Sequence, residues 1–481
     1  MKSLINDAFS PELFRVEGHK LIDQVADYLT DCYGRKIEKA IPWSEPADLL
    51  NLWQKKMDGD GMDFSEIIAE TLNNSVHLHH PRYIGHQVAV PTPLSILSEM
   101  VSALLNAGMV IYETGQTSTV MEKIVTDWLC KKIGYGNTSG GVLTSGGSLG
   151  NLTALLAARQ KMIDYDVWEE GIHNSDEFII LVSEEAHYSI SRAGKILGFG
   201  KGVVKVPADE NFQMSITELN NLYSKFIAEG KKVIAVVASA CTTSTGTYDR
   251  INEIADFCTG KNIWFHIDAA HGGGAVLSGK YRHLIEGVEK ADSVVIDFHK
   301  MFISPGLITG VSFKENNDSY SAFAQKASYL WNSDQEKEWF NIGKRTIECT
   351  KKMMSLKIFV QLKIFGEELF KEYVESRYDA AREFALIIKK KDNFEILTDP
   401  QSNIICFRFN PGGISTEDLD ILNAGLRTRM LRDGRFYIVQ TIAKGRVYLR
   451  TTVMNPFTNG NDFEELLDEI AACYKKYYTQ H

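Results

Sequence analysis

Ala291-Asp292-Ser293-Val294-Val295-Ile296-Asp297-Phe298-His299-Lys300 is the stretch on which the fold turns. Its middle is a short run of aliphatic residues without polar alternation, as a strand buried on both faces requires. The run stops at a His-Lys pair, which leaves a titratable amine at the strand's carboxyl end. Five upstream stretches have the same character, at residues 141–145, 178–183, 203–206, 232–238 and 263–268. Helical patterns lie between them. Strand and helix in strict alternation predict a mostly parallel sheet with helices on both faces, and such sheets bind ligands beyond the carboxyl ends of their strands.

Outward from this core the pattern changes in both directions. The first eighty or so residues read as helices, beginning at 11–31, where Leu21, Val25, Tyr28 and Leu29 recur on one face. Asp63 with Glu66 three residues later marks another helix start. Between about 315 and 345 polar and aromatic residues, among them Asn316, Ser333 and Glu338, predict a long mobile loop. A long helical region is expected over about 350–390, followed by two strands at 404–409 and 446–454 in a smaller α+β domain. The expected divisions are residues 1–85, 86–365 and 366–481, in line with the roughly 150 residues of an ordinary domain.

Composition removes several function classes. Asp and Glu number 62 against 52 Lys and Arg, a formal charge of -10, whereas a nucleic-acid partner calls for a basic surface. Seven cysteines are scattered without a C-x-x-C pair, so neither a disulfide framework nor a zinc site is expected. The cluster His77, His79, His80 and His86 matches no standard metal spacing, and no metal is expected there either. The start of the chain lacks the apolar core of a signal peptide and no stretch reaches membrane-spanning length, which places the protein in the cytoplasm with no membrane partner.

Four features fall at predicted strand ends. Thr144-Ser145-Gly146-Gly147-Ser148-Leu149-Gly150-Asn151 follows a strand and opens a helix, so bare backbone N–H groups and the helix dipole face one point, where an anion fits. Asp268 closes a strand and precedes Ala269-Ala270-His271-Gly272, residues small enough to let a carboxylate meet a flat ring. His187 follows a third strand and can stack on a planar group, and Lys300 follows a fourth. Taken singly each has a plain alternative: a glycine turn without a ligand, a capping aspartate, a structural histidine, a solvated lysine. Together they offer a phosphate site, a carboxylate for a protonated pyridine nitrogen and an amine for an aldehyde, the three handles of pyridoxal 5′-phosphate.

The same residues carry a resemblance. His80-Pro81-Arg82-Tyr83, Thr144-Ser145-Gly146-Gly147-Ser148, Ala186-His187, His266-Ile267-Asp268-Ala269-Ala270, Asp297-Phe298-His299-Lys300 and Arg450 ahead of Asn455-Pro456 resemble the group II pyridoxal-phosphate decarboxylases, over about residues 80–456. This family includes aromatic amino-acid, glutamate and 2,4-diaminobutyrate decarboxylases. The resemblance implies an aspartate-aminotransferase-like α/β fold (fold type I) with a seven-stranded type of sheet, and a homodimer with its sites at the interface and its amino-terminal helices packed on the partner. It implies that Lys300 binds the cofactor aldehyde, that Asp268 pairs with the pyridine nitrogen and that His187 stacks on the ring. Gly146, Gly147, Ser148 and His299 would hold the phosphate, with Thr243 and Ala270 near the ring. Arg450 would meet the substrate carboxylate, with His86 and Phe340 as further substrate contacts. Phe340 stands where many relatives carry a loop tyrosine that protonates the product, which leaves that task to His187 or Tyr329. The expected reaction is decarboxylation of an L-amino acid. Asp297-Phe298-His299-Lys300 and His86 resemble the diaminobutyrate branch, whereas Tyr112-Glu113 is similar to glutamate decarboxylases. The other readings are an aromatic amino-acid decarboxylase and an aminotransferase or carbon–sulfur lyase on the same fold.

Overall fold

The computed structural model describes residues 3–173, 178–323 and 339–478. Two compact units emerge. One comprises Gln87–Asp379 with Pro400–Asn403, and the other Met1–His86, Ala380–Asp399 and Ile404–His481.

The first unit is built on a seven-stranded sheet. Its strands are β1 (Gly140–Thr144), β2 (Phe178–Ser183), β3 (Val203–Val206), β4 (Lys232–Ser239), β5 (Trp264–Asp268), β6 (Ser293–Asp297) and β7 (Thr309–Phe313), in the spatial order β1-β7-β6-β5-β4-β2-β3. The pairings among β3, β2, β4, β5 and β6 are parallel, and β7 runs antiparallel to both β6 and β1. Every residue of β1, β2, β5, β6 and β7 is buried, which explains the apolar runs of β2 and β6. Helices cover both sides of the sheet, and the helix Gly147–Met162 packs Ala154, Leu155, Ala157 and Ala158, all fully buried, into the main core with Ile180, Val237 and Val295.

The second unit holds a four-stranded sheet of β8 (Phe394–Ile396), β9 (Ile404–Phe409), β10 (Val439–Ala443) and β11 (Arg446–Thr452), in the order β10-β11-β9-β8. Its core gathers Phe384, Phe407, Phe463, Leu426 and Leu449. Among the amino-terminal helices is Pro11–Tyr33, whose first turn is capped by Ser10 Oγ accepting from Leu13 N at 3.3 Å.

Two expectations need correction. Strand β7 escapes the hydrophobic pattern because Gly310 and Ser312 interrupt it, yet Gly310 is required: a Cβ there would lie 2.6 Å from Leu129 Cδ2. The helical region expected over 350–390 is present as two helices, Leu356–Ile364 and Glu368–Lys389, separated where Gly366 takes φ +73°, a left-handed conformation that ends a helix. The carboxyl-terminal sheet has four strands rather than two. Here β10 pairs with β11 across the two-residue turn Lys444-Gly445, and its alternating exposure hides it from a search for apolar runs. Of the expected mobile loop, Asp318–Ser321 and Ile342–Arg345 form short helices, whereas 324–338, with Ser333, Glu338 and Tyr329, lies outside the described residues.

Strand β1 carries the glycine turn, so what anchors it positions the phosphate site. Glu122 and Lys351, each with 1% of its side chain exposed, pair at 2.5 Å. Glu122 also accepts from Leu143 N at 3.0 Å, and Lys351 donates to Leu143 O at 2.8 Å. The pair thus satisfies both backbone groups of a residue on the sheet's edge. Lys351→Met strands the buried carboxylate and is expected to destabilise the protein by about 3–5 kcal/mol; a denaturant titration showing a loss below about 1 kcal/mol, the scale of an exposed pair, would contradict this account.

Candidate active site

The sheet's register brings separate strand ends together. Ser239 of β4 pairs with Asp268 of β5, and Asp268 with Val295 of β6. Thr309 of β7 pairs with both Thr144 of β1 and Asp297 of β6, so the turn after β1 stands one strand away from Asp297. Beyond these ends lies a cavity of about 350 Å³. Gly146, Gly147, Ser148, His187, Thr243, Asp268, Ala270, His299 and Lys300, all expected to contact the cofactor, line it. Phe340 does not; it packs edge-on against Tyr112, with ring centres 5.7 Å apart. His86 and Arg450 belong to the other unit, where Arg450 is 5% exposed and His86 lies 5.7 Å from the Tyr437 ring. Burial and the nearby charges of Arg450 and Arg427 lower the His86 pKa. In that unit the remaining histidines of the cluster bond to tyrosines or backbone: His77 Nδ1 to Tyr28 at 3.0 Å, His79 Nδ1 to Tyr33 at 3.2 Å and His80 Nε2 to the Ile37 carbonyl at 2.9 Å.

The glycine turn is shaped for an anion. Gly146 has φ +105° and ψ 155°, a region essentially closed to other residues, and as N-cap it supplies no side chain to the helix that starts at Gly147. The amides of Leu149 and Gly150 donate back to the Gly146 carbonyl, leaving the first-turn amides of Gly147 and Ser148 open to the cavity. A Cβ on Gly147 would lie 3.0 Å from Asp297 Oδ1, so a larger residue would press on that carboxylate.

Lys300 follows β6 by one tight turn, its backbone N donating to the Asp297 carbonyl at 3.2 Å. Its Nζ lies 2.8 Å from Asp297 Oδ2, and Thr309 Oγ1 donates to the other oxygen of that carboxylate. Burial acts to lower the lysine pKa, but Asp297, aided by Asp268, outweighs it and raises the value above the ordinary 10.5. Asp297 is correspondingly held below its ordinary value, because Lys300 and the His299 side chain overcome its burial. His299 Nε2 stands 3.6 Å from Asp297 Oδ2.

Asp268, only 7% exposed, accepts from Asn151 Nδ2 at 3.0 Å and from Ala270 N at 3.2 Å. His187 caps the helix Tyr188–Ile196, and burial lowers its pKa more than Asp268 and Asp297 raise it. The residues therefore fit pyridoxal 5′-phosphate: open amides for a phosphate, a buried and hydrogen-bonded carboxylate for a protonated ring nitrogen, and an amine in the same cavity. Asn151 and Asp297 received no role from the sequence. Both interrupt otherwise apolar buried elements, and an unexplained polar residue in such a place was the signal available.

Similarity searches agree with this geometry. Residues 46–410 match the family model described as the pyridoxal-dependent decarboxylase conserved domain. The chain is 30% identical over 439 residues to the L-2,4-diaminobutyrate decarboxylase of Acinetobacter baumannii, covering 87% of this chain and 85% of that protein. It is 28% identical to human acidic amino acid decarboxylase GADL1, covering 96% and 91% of the two chains. A crystal structure of mouse CSAD in apo form superposes with a TM-score of 0.86 at 26% identity, covering 95% of this chain and 99% of that one. Sequence, fold and cavity converge: the chain belongs to the pyridoxal-dependent decarboxylase family and is a carboxy-lyase acting on an amino acid with pyridoxal 5′-phosphate as its cofactor.

Proposed function

We propose that the substrate is a short polar L-amino acid, in the first place L-2,4-diaminobutyrate, and that the residues lining the cavity after β1, β2, β4, β5 and β6 perform the reaction. The observation that carries this reading is the cavity's lining. No phenylalanine, tyrosine or tryptophan lies among the described residues that form it, and Leu307 is its one large aliphatic side chain. An aromatic substrate would find little to pack on. The 30% identity to a diaminobutyrate decarboxylase supports the same choice. The second reading, a short acidic amino acid, is favoured by the likeness to an acidic amino acid decarboxylase across 96% of the chain.

In this proposal Lys300 binds the cofactor aldehyde, and the Gly147 and Ser148 amides hold the phosphate together with the Ser148 side chain and His299. Thr243 and Ala270 flank the ring and His187 stacks on it. When bound, the cofactor supplies a conjugated ring that accepts the electron pair left behind as carbon dioxide departs. Asp268 keeps the ring nitrogen protonated, since a neighbouring negative charge favours the charged form. Arg450, with His86, receives the substrate carboxylate. Phe340 has no proton to give, so His187 is the donor to the product carbon among the described residues. Two more features of the proposal concern context. Leu4, Ile5, Phe9 and Phe14, between 64% and 86% exposed, support a homodimer in which a second copy covers the amino-terminal helices. The seven free cysteines support a reducing, cytoplasmic setting. Among the described residues no helix is long and apolar enough to cross a membrane.

Three outcomes test the reading. Carbon dioxide release from a panel of L-2,4-diaminobutyrate, glutamate, aspartate, cysteine sulfinate, lysine, tyrosine and tryptophan should be fastest with the first; faster turnover of tyrosine or tryptophan would overturn it. Lys300→Ala should abolish the visible absorption band of the lysine-bound cofactor, and a band that borohydride still fixes to the protein in this variant rules Lys300 out. The third outcome follows from Asp297. By raising the Lys300 pKa, this carboxylate keeps the amine charged and unreactive at neutral pH, so attachment of the cofactor to the apoprotein should accelerate as pH rises. In Asp297→Asn, burial prevails and the pKa falls, moving that acceleration to lower pH. Coincident pH profiles for the two proteins would contradict the assigned role.

A further inference from the structure

Asn151 is 1% exposed and uses every polar atom of its amide. Its Nδ2 donates to Asp268 Oδ2 and to Ser189 Oγ, both at 3.0 Å, and its Oδ1 lies 3.0 Å from His266 Nε2. The amide cannot be reversed, because that would set its carbonyl against a carboxylate that has no hydrogen to give. His266 must then donate from Nε2. Burial pushes its pKa down to about 4, so the ring is neutral with its proton on Nε2, and Nδ1 lies 2.9 Å from Ser293 Oγ and 3.2 Å from the Ser293 carbonyl.

The consequence runs the other way along the chain of bonds. Ser189 Oγ accepts from Asn151 and lies 2.8 Å from His187 Nδ1. The Ser189 backbone N donates to that same nitrogen at 3.3 Å. A ring nitrogen that accepts from a backbone N–H carries no proton, so the serine hydrogen is directed to Nδ1 as well and the ring proton belongs on Nε2. Among the described residues Nε2 has no protein partner, and His187 lines the cavity.

We propose that Asn151 is a positioning residue which, oriented by Asp268 and His266 and acting through Ser189, locks His187 with its proton on Nε2. This deepens the reading of His187 as the group beside the cofactor ring and rests on it, but the test reads a ring nitrogen and not turnover. An Nε2–H presented to the cavity is a hydrogen-bond donor and a proton source; the other tautomer would present a bare nitrogen.

The test is nitrogen NMR of the holoenzyme labelled with ¹⁵N-histidine, with His187 assigned by the signals lost in His187→Gln. In the wild type the His187 nitrogens should be well separated, with the attached proton on Nε2. Ser189→Ala leaves the Asn151–Asp268 bond in place but removes the relay, and Asn151→Ala removes the donor that holds the serine oxygen in place. In both, the two nitrogen signals should move toward each other as the tautomers exchange. Ser189→Thr, which restores a hydroxyl, should return the wild-type pattern. A wild-type proton on Nδ1 overturns the proposal without recourse to any variant. Unmoved His187 signals in Ser189→Ala also overturn it, since the 3.3 Å backbone contact would then suffice.

Discussion

A buried carboxylate and an ammonium whose side chain is 22% exposed, Asp297 and Lys300, stand 2.8 Å apart and tie the end of β6 to the cavity. Alone, the Asp297 charge would lose hydration with little to replace it. Asp297 closes β6, and its other oxygen is held from β7 by Thr309. The antiparallel insertion of β7 between β6 and β1 therefore does more than widen the sheet. It carries the hydroxyl that orients the carboxylate, and it sets the glycine turn one strand away on the far side.

The glycine turn answers to the same constraint. Gly146 adopts a conformation that other residues avoid, and the Cβ that Gly147 lacks would press on Asp297. Two glycines in succession thus meet separate requirements, the first of backbone angle and the second of close approach. The open amides that result form a positive site a short distance from a fixed negative charge. A phosphate there must be oriented by the first turn of the helix Gly147–Met162, whose own core face is buried against the sheet.

Much of this was legible in the sequence, and the limits have physical causes. Apolar runs ending at Ser183, Asp268 and Asp297 marked the strands, because strands buried on both faces cannot alternate. His187, Asp268, Lys300 and the glycine turn were recognisable because ligands in such sheets gather at carboxyl ends. Strand β7 was missed since its identity rests on a cross-strand register and on the space Gly310 leaves for Leu129, neither of which has a one-dimensional signature. β10 was missed because Gln440 and Thr441 interrupt its apolar residues, of which only Val439 and Ala443 are buried. Asn151 and Ser189 stood in view within or beside recognised motifs, but their meaning depends on donor counting across two strands and two helices. Phe340, the nearest counterpart on the loop to a tyrosine of many relatives, packs on Tyr112, a contact that no motif announces.

Seen as electrostatics, the cavity sorts its groups by how each is held. Asp268 and Asp297 stand near one another in the sheet, yet they face different partners, Asn151 and Ala270 for the first and Lys300 and Thr309 for the second. The first pairing uses neutral donors and leaves the negative charge uncancelled, available to a cation in the cavity. The second cancels its charge against a lysine. Were the Lys300 amine engaged elsewhere in the cavity, Asp297 would keep Thr309 and, 3.6 Å away, His299 as its neighbours. The histidine next to the lysine therefore bears on the same carboxylate as the lysine does.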